Sequence, residues 1–351
     1  MPCEALSSTL RPNSEYGPSS VHLRRDFRDI PALEAHSKPW MHTGALARPT
    51  LCIGELPAGG RSAIVRSMRA MREPFIGSEA LASRALSRHQ LRARYRAVFP
   101  NVYLSNDVPL SLELRISAAW LWSGRRGTIA GAAAAALHGA KWIPDDVPVE
   151  LICANPRPPD GILTRRAALT AGETQIIAGR SVTTPERTAF DIGRRGAVRS
   201  SVVRLDALAR ATGFKVDDVL RVAKCHPGSP GLRRLEAALE LIDPGAQSPR
   251  ESYLRLLLID AGLPRPQTQI PVLGVDGMPV AYLDLGWEDR MVAVEYDGDH
   301  HRMNRRQYVK DIRRIEMLER MGWIVVRIVA EDRPAAILRR VRAALTAASV
   351  R

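Results

Sequence analysis

The chain has 351 residues, of which 45% are hydrophobic and 25% charged, and its formal net charge is +14. This balance is typical of a globular protein long enough for two or three domains. The sequence contains no run approaching ~20 apolar residues, so we expect no membrane span. Four scattered cysteines, without metal-ligand or redox spacing, indicate reduced thiols and a cytoplasmic protein.

The positive charge is concentrated in the middle of the chain. Residues 68–245 carry 26 Lys and Arg against 17 Asp and Glu, a balance of +9, whereas the flanking segments carry +2 and +3. Arginine dominates, and its planar guanidinium group suits phosphate oxygens. The distribution is typical of a nucleic-acid-binding protein. An arginine-rich protein without a specific partner would show the same totals.

Residues 1–70 mix proline, serine, glycine and charged residues without a sustained hydrophobic period. A segment of this kind buries too little apolar surface to offset the entropy that is lost on ordering. We therefore expect these residues to form a disordered extension.

Residues 71–108 are predicted to form two short helices and a hairpin. The first helix starts after Ser78 and ends near Leu86, the second has Ser87 as its N-cap, and "AVFP" and "VYLS" form the strands. This order matches a winged helix-turn-helix, whose second helix can enter the major groove of double-stranded DNA. An ordinary helical subdomain with a solvated basic face is the alternative. The candidate DNA contacts are Arg88, His89, Arg92, Arg94 and Arg96.

Residues 109–243 are predicted to form an α+β middle domain. A helix from about Ser111 to Ser123 precedes the alanine-rich helix in "RRGTIAGAAAAALHGAKW", and "VPVELICA" is a strand. "GRSVTTPERTAFDIGRR" is a strand followed by a helix, with Thr184 as the cap and Pro185 at the first helical position. His138 is interpreted as a packed histidine and not as a catalytic one.

The layout of "GAAAAALHGAKW" and "TTPERTAFD" resembles the antitoxin component of type IV (abortive-infection) toxin–antitoxin systems, over residues 72 to 240 approximately. Those proteins join an N-terminal winged helix to a second domain. The resemblance implies DNA contact, repressor activity and a toxin as partner, and it implies no catalysis.

The last hundred residues are predicted to form a separate α/β domain. "DPGAQSPRES", residues 243–252, has the composition of a linker, and a helix runs from about Pro249 to Ala261. Three strands, a helix, a fourth strand and a last helix follow. The order αβββαβα predicts an α/β core with a mixed sheet in residues 247–351.

Acidic residues converge in this predicted domain. Side chains alternate along a strand, so Glu295 and Asp297 share one face, and Asp284 of the preceding strand meets them there. Glu251, at the start of the packed helix, supplies a further carboxylate. Clustered carboxylates repel one another, and Mg²⁺ or Mn²⁺ relieves the repulsion through the oxygen ligands that it prefers. Such an ion activates water for phosphodiester hydrolysis.

Two histidines, His300 and His301, follow the acidic strand within "VAVEYDGDHH". With an ordinary pKa near ~6.5, either could accept the proton of the attacking water. Solvated turn residues are the alternative interpretation.

Residues 247–335 resemble the very-short-patch-repair-like branch of the PD-(D/E)xK, restriction endonuclease-like, nuclease superfamily. The matching segments are "SPRESYLRLLL", "LPRPQTQIPV", "YLDLGW", "VAVEYDGDHH", "YVKDIRRIEMLERMGW" and "IVVRIV". The resemblance implies that Asp284 and Glu295 bind the metal and that Glu251 completes the site. It assigns Asp297 and His301 to an acid-Gly-x-x-His element with a catalytic role. The same comparison places two further polar residues near the site, Gln269 and Asp311.

One position departs from the superfamily pattern. The pattern has a lysine where this chain has Asp297, and that lysine normally carries charge next to the nucleophile or the phosphate. Lys310, Arg302 and Arg305 could supply the charge from the following helix. The departure also leaves room for a degenerate site.

Three functions follow from these patterns. The first is a Mg²⁺- or Mn²⁺-dependent endonuclease acting on double-stranded DNA that a winged helix positions. The alternative is a non-catalytic, antitoxin-like DNA-binding repressor with a degenerate nuclease fold. The third is a nuclease or toxin directed at RNA.

Overall fold

The computed structural model describes residues 72–155, 157–297 and 305–350, and it describes side chains over the same ranges except for residues 305–310. The predicted extension, residues 1–70, lies outside these ranges. Sheets of three, five and four strands follow one another along the described chain, and helices flank them. The protein is therefore an α/β protein with mixed sheets. None of the helices in the described ranges combines the length and apolarity needed to cross a bilayer.

The three-stranded sheet and two short helices begin the described chain. Their elements are β1 (Phe75–Ile76), α1 (Gly77–Ala82), α2 (Arg88–Arg94), β2 (Tyr95–Phe99) and β3 (Val102–Ser105). The strand order is β1-β3-β2, with antiparallel pairing throughout. The predicted helices and hairpin are confirmed, and β1 is an addition.

A capping box explains where α2 begins. The Ser87 hydroxyl accepts the amide N–H of Gln90 at 3.1 Å, and the Gln90 side chain accepts the N–H of Ser87 at 2.8 Å. Two amide groups that the helix cannot satisfy are thereby paired. Ser87 is thus the cap that the sequence predicts.

The five-stranded sheet is mixed and forms the centre of the middle region. Its strands and the helices around it are α3 (Leu112–Trp122), β4 (Thr128–Ala130), α4 (Gly131–Leu137), β5 (Val149–Ile152), β6 (Ile162–Arg165), β7 (Thr174–Ile177), β8 (Arg180–Thr183) and α5 (Pro185–Arg195). The strand order is β6-β5-β4-β8-β7, and β5–β6 and β4–β8 are parallel. Ala133, Ala134 and Ile129 are fully buried between the sheet and its helices.

The predicted cap of the middle region, Thr184, is confirmed, and Ser111 is a further cap. Ser111 accepts the N–H of Leu114 at the start of α3, and Thr184 accepts the N–H of Arg187 at the start of α5. Pro185 occupies the first helical position, where its missing N–H needs no partner.

Three helices that the motifs do not predict complete the middle region. They are α6 (Val198–Thr212), α7 (Val216–Cys225) and α8 (Leu232–Leu241). Leu205, Leu208 and Leu235 are buried in the apolar core that these helices share with α5.

The last hundred residues have the predicted order αβββαβα. The elements are α9 (Pro249–Asp260), β9 (Gln267–Leu273), β10 (Pro279–Trp287), β11 (Val292–Asp297), α10 (Arg305–Arg320), β12 (Ile324–Val329) and α11 (Pro334–Ala348). The strand order is β12-β11-β10-β9. The β11–β12 pair is parallel and the other pairs are antiparallel, so this sheet is mixed as predicted.

Helix α9 is buried against the middle region through an ion pair. Asp206 on α6 and Arg255 on α9 are both fully buried, and an N–H of Arg255 donates to Asp206 at 2.9 Å. The hydroxyl of Ser252 also donates to Asp206, at 2.7 Å. Leu256 belongs to the core of α5, α6 and α8. The helix that opens the last hundred residues is thus part of the core of the preceding region.

Candidate functional site

Three carboxylates from three elements form an acid cluster: Glu251, Asp284 and Glu295. Glu251 lies in the first turn of α9, Asp284 on β10 and Glu295 on β11. The pairing of Leu285 with Val294 places Asp284 opposite Glu295 in the antiparallel register. Glu251 and Glu295 are each only 8% exposed. The structure thus brings together the three acids that the sequence proposes as metal ligands.

Glu251 is held by the turn that starts its helix. The hydroxyl of Ser248 donates to Oε1 of Glu251 at 2.9 Å, and the N–H of Gln247 donates to Oε2 at 2.8 Å. Burial raises the pKa of Glu251, while these two hydrogen bonds and the positive charge of Arg210 oppose the rise. The sequence Ser-Pro-x-Glu therefore fixes this carboxylate as a helix cap as well as a member of the cluster.

Asp284 is the member of the acid cluster whose pKa is strongly raised. Burial, followed by the negative charges of Glu251 and Glu295, raises the pKa of Asp284 to about 7. The N–H of Tyr296, which donates to Oδ2 at 3.2 Å, and the charge of Arg314 act in the opposite direction. Burial and the two like charges thus outweigh the Tyr296 N–H and the charge of Arg314, and carboxylates with pKa values raised in this way are common at functional sites.

Arg314 of α10 is the cation that contacts the acid cluster in the described part of the chain. Its guanidinium donates to both carboxylate oxygens of Glu295, at 2.6 and 2.7 Å, and also to the carbonyl of Tyr282 at 2.7 Å. Two parallel bonds fix the orientation of the Glu295 carboxylate. Burial lowers the pKa of Arg314, but the hydrogen bonds and charge of Glu295, followed by the charges of Asp284 and Asp311, raise it above its ordinary value.

The sequence proposes other cations for this role. Arg302 lies outside the described residues, as do the side chains of Arg305 and Lys310. The available sequence signal for Arg314 was its position three residues after Asp311 in "YVKDIRRIEMLERMGW". The partner of its guanidinium, Glu295, could be found only from the packing of α10 on the sheet.

Gln269 borders the acid cluster on the other side of Asp284. The registered pairs Leu283–Ile270 and Leu285–Thr268 leave Gln269 as the β9 residue beside Asp284. Its φ of 51° lies in the left-handed region, which is uncommon for residues other than glycine. The side-chain amide of Gln247 donates to Oε1 of the Gln269 side chain. Gln269 thus connects the cluster with the turn that holds Glu251.

Asp297, a predicted catalytic residue, is engaged elsewhere. Its carboxylate forms an ion pair with Arg327 on the neighbouring strand β12. The charges that act on Asp284 are those of Glu251, Glu295 and Arg314, and Asp297 is not among them. His300 and His301 lie outside the described residues, so their assignment stays a prediction.

The acid cluster has the ligand chemistry that a hard divalent cation requires, because all its donors are carboxylate oxygens. The cluster is closed, however, because hydrogen-bond donors of the protein already contact the carboxylate oxygens of Glu251 and Glu295. Within the described ranges, no three His, Cys, Asp or Glu side chains form a ready metal-binding group. The oxygens of Glu251 accept hydrogen bonds from Gln247 and Ser248, and those of Glu295 accept them from Arg314. A cation would therefore share or displace these donors.

The predicted DNA contacts on α2 are exposed. Arg88, His89, Arg92 and Arg94 all point away from the core. Among the described residues, the three arginines have no acidic partner, so their charge is available to a ligand. Arg96 differs from them: its guanidinium donates to the carbonyls of Ser105, Asn106 and Val108. Arg96 fixes the loop after β3, and its role in DNA contact stays a prediction.

The middle region contains a basic surface that the motifs do not predict. Five arginines line one open cleft, which we call the arginine cleft: Arg165, Arg166, Arg194, Arg195 and Arg234. The other lining residues, Ala167 and Pro230, carry no charge. The adjacent pairs "RR" at 165–166, 194–195 and 233–234 were the available sequence signal.

Acids beneath the arginine cleft contact three of its side chains, one of which is Arg165, 3.6 Å from Glu150. Asp191 accepts from Arg194 at 2.9 Å and from Arg195 at 2.8 Å, and Arg195 also pairs with Glu150. Burial lowers the pKa of Arg195 to about 10, so it remains a cation at neutral pH. The cleft is thus a fixed array of positive charge.

His138, interpreted from the sequence as packed, lies against the strand that precedes α5. One ring nitrogen is 2.7 Å from the carbonyl oxygen of Thr183, and the other is 3.3 Å from the side-chain nitrogen of Gln175. Burial lowers the pKa of His138, which favours the neutral ring. Packing and these two contacts explain the position of the His138 ring.

Comparison with known proteins gives relatives without a characterised activity. No family model matches the chain. Two uncharacterized proteins of Mycobacterium tuberculosis, from strains CDC 1551 / Oshkosh and ATCC 25618 / H37Rv, are each 28% identical to it over 176 residues. The match covers 50% of this chain and 64% of each relative, less than two thirds of the relatives' own length. The function therefore has to be inferred from the residues of this chain.

Proposed function

We propose that the protein is a metal-dependent endonuclease that hydrolyses phosphodiester bonds in double-stranded DNA. In this proposal the last hundred residues are a restriction endonuclease-like core, and residues 71–108 are a winged-helix DNA-binding module. The observation that carries the proposal is the acid cluster. Three partly or fully buried carboxylates meet at one end of the β10–β11 pair, and the pKa of Asp284 is raised to about 7. Such clusters are typical of sites that bind cations.

Glu251, Asp284 and Glu295 are the residues that would hold Mg²⁺ or Mn²⁺. When bound there, the ion would polarise a phosphoryl oxygen and lower the pKa of a water molecule. The chain's own contribution is orientation: Arg314 fixes the Glu295 carboxylate, and the α9 cap fixes Glu251. Arg314 also places a positive charge beside the acids. His301 is the proposed proton acceptor.

The exposed basic residues support a nucleic-acid substrate. Helix α2 presents three arginines without acidic partners among the described residues. The arginine cleft contains five arginines, of which Arg165, Arg194 and Arg195 lie beside acids. Guanidinium groups bind phosphate oxygens through parallel hydrogen bonds. A polyanion is the ligand that matches both surfaces.

The test is nicking of supercoiled plasmid by the full-length protein in Mg²⁺, in Mn²⁺ and in EDTA. We expect nicking that needs the metal and falls by at least ~100-fold in Asp284→Ala, the magnitude expected when a group essential for the reaction is removed. Asp289→Asn removes an exposed acid from the turn after β10 and should cleave as wild type does. A folded wild-type protein that leaves plasmid intact in every metal would contradict the proposal, and preferential degradation of RNA would favour the RNA-directed alternative.

A second candidate is a non-catalytic, antitoxin-like DNA-binding repressor. The observation that favours it is the closed acid cluster, in which Arg314 engages both oxygens of Glu295. The aspartate at position 297, where the superfamily has lysine, points the same way. This candidate predicts duplex binding that Asp284→Ala and Glu295→Ala leave unchanged, without cleavage by the wild type.

If the arginine cleft is part of the DNA-binding surface of the protein, both candidate functions require it to bind phosphate groups. Arg166→Ala combined with Arg234→Ala removes two exposed side chains of the cleft. We expect weaker duplex binding and a salt dependence of log K whose slope is smaller by about 2, because two phosphate contacts are lost. Fluorescence anisotropy of a labelled duplex at several salt concentrations measures both quantities. Arg339→Ala, on the exposed side of α11, is the matched control, and an unchanged slope in the double variant would place DNA elsewhere.

A further inference from the structure

A cavity of about 200 Å³ lies beside the turn that holds Glu251. The loop after α4, helix α6 and residues 246–249 enclose it. Most of its walls are apolar side chains, and they come from both the middle region and the start of α9: Ala132, Ala135, Ile143, Val203, Ala207 and Pro249.

Trp142 lines this cavity and remains 58% exposed. Its backbone has φ of 64°, in the left-handed region that aromatic residues rarely adopt. The indole N–H donates to the carbonyl of Gln247 at 3.0 Å. A strained backbone that holds a largely exposed tryptophan at a cavity is the kind of outlier that occurs at ligand sites.

The charged residues around the cavity are all cations. Lys141, Arg204 and Arg210 line it, and none of its described lining residues is Asp or Glu. Within the described ranges, Lys141 and Arg204 form no ion pair. Arg210 donates to the carbonyls of Pro244 and Gly245, and its charge also acts on Glu251. Apolar walls, an available indole and three cations select a ligand with a planar apolar body and an anionic group.

We propose that this cavity binds one nucleotide unit, with its base against Trp142 and its phosphate at Lys141, Arg204 and Arg210. The volume is below the ~300–1,000 Å³ of ordinary small-molecule pockets, so it suits one base with the phosphate at the rim. The nucleotide comes either from a free nucleoside monophosphate or from an unpaired position in a strand. In the second case a duplex would have to release the base from its stack.

Gln247 joins this cavity to the acid cluster. Its carbonyl accepts the indole N–H of Trp142, and its own N–H donates to Glu251 at 2.8 Å. A nucleotide that moves Trp142 therefore also affects Gln247, the residue whose N–H orients the Glu251 carboxylate. The binding itself does not depend on the proposed cleavage.

The experiment is isothermal titration calorimetry on full-length Asp284→Ala protein in EDTA, which separates binding from any cleavage. Deoxyadenosine monophosphate, deoxyadenosine and inorganic phosphate are the three small ligands. We expect the monophosphate to bind at least ~10-fold more tightly than either part alone, because base and phosphate have separate subsites. A single-stranded decamer and the matching duplex distinguish the two sources of the nucleotide: binding of the monophosphate indicates a free ligand, and binding of the decamer alone indicates a strand.

Two variants locate the binding. Trp142→Ala should weaken it by about tenfold through loss of stacking, whereas Trp142→Phe keeps an aromatic ring and should restore most of the affinity. Arg204→Ala, at an exposed position, should weaken binding of the phosphate-bearing ligands and leave the thermal melting of the protein unchanged. No binding of either the monophosphate or the decamer, or equal affinity in wild type, Trp142→Ala and Arg204→Ala, would overturn the proposal.

Discussion

Asp284→Asn is expected to stabilise the metal-free protein at pH 8 by roughly 2–4 kcal/mol. The pKa of Asp284 is raised to about 7, mainly by burial and then by Glu251 and Glu295, so the folded protein resists its ionisation. Each unit of pKa difference between folded and unfolded protein corresponds to about 1.4 kcal/mol. Asparagine has a similar shape and no charge, so it removes this penalty.

The pH dependence of this stabilisation has a defined sign. Because the folded pKa of Asp284 lies above its unfolded value, the folded state binds the proton more tightly. The stability that this proton contributes is fully present below about pH 4 and is lost as the pH rises to 7. The difference between Asp284→Asn and wild type should therefore be small at pH 4, grow between pH 4 and 7, and stay constant above pH 7.

Urea unfolding in EDTA at pH 4, 6 and 8 measures this difference. Asp289→Asn, in the exposed turn after β10, should show no such dependence on pH. Destabilisation of Asp284→Asn at pH 8 would mean that the charge of Asp284 is compensated in the folded protein.

A second measurement uses the metal. Added Mn²⁺ should raise the melting temperature of wild type and leave that of Asp284→Asn unchanged, because a cation stabilises only the state that binds it.

Asp206→Ala is expected to destabilise the protein by about 3–5 kcal/mol, because the variant leaves the charge of Arg255 buried without its acidic partner. Asp206 also accepts the hydroxyl of Ser252 and the N–H of Asp243, at 2.7 Å each, so three donors lose their acceptor. Both members of the pair are fully buried, and water cannot replace the lost carboxylate. The free energy of unfolding from urea titrations gives the effect.

Removing both charges is the matched control. In Asp206→Leu combined with Arg255→Met, apolar side chains of similar size replace the ion pair, and most of the lost stability should return. The double-mutant cycle then isolates the coupling between the two residues. Equal and additive losses in the two single variants would show that the residues do not interact.

Local signals in the sequence predicted the local structure well. The two predicted caps, Ser87 and Thr184, both cap helices, because each cap depends on residues within three positions of it. The strands around the acid cluster were predicted for a similar reason. Alternation along β10 and β11 places Asp284 and Glu295 on one face wherever the sheet packs.

Interactions between distant elements were not predictable in the same way. Arg314 reaches Glu295 from another element, and Arg255 is 49 residues from its partner Asp206. The arginine cleft collects side chains from a strand and two helices. Such pairs depend on the packing of the whole chain, and neither hydrophobic period nor capping signal encodes it. The histidines at 300 and 301 stay a prediction because they lie outside the described residues.

The buried pair of Asp206 and Arg255 has a consequence for how this protein can change during evolution. Exchange of the last hundred residues for those of another protein would separate the two charges and place one of them, unpaired, in an apolar core. Leu256 would lose its neighbours at the same time. Recombination at the glycine- and proline-containing segment before Pro249 would therefore yield chimaeras that fold poorly. We expect the middle region and the last hundred residues to be inherited together, with both charges kept or both replaced.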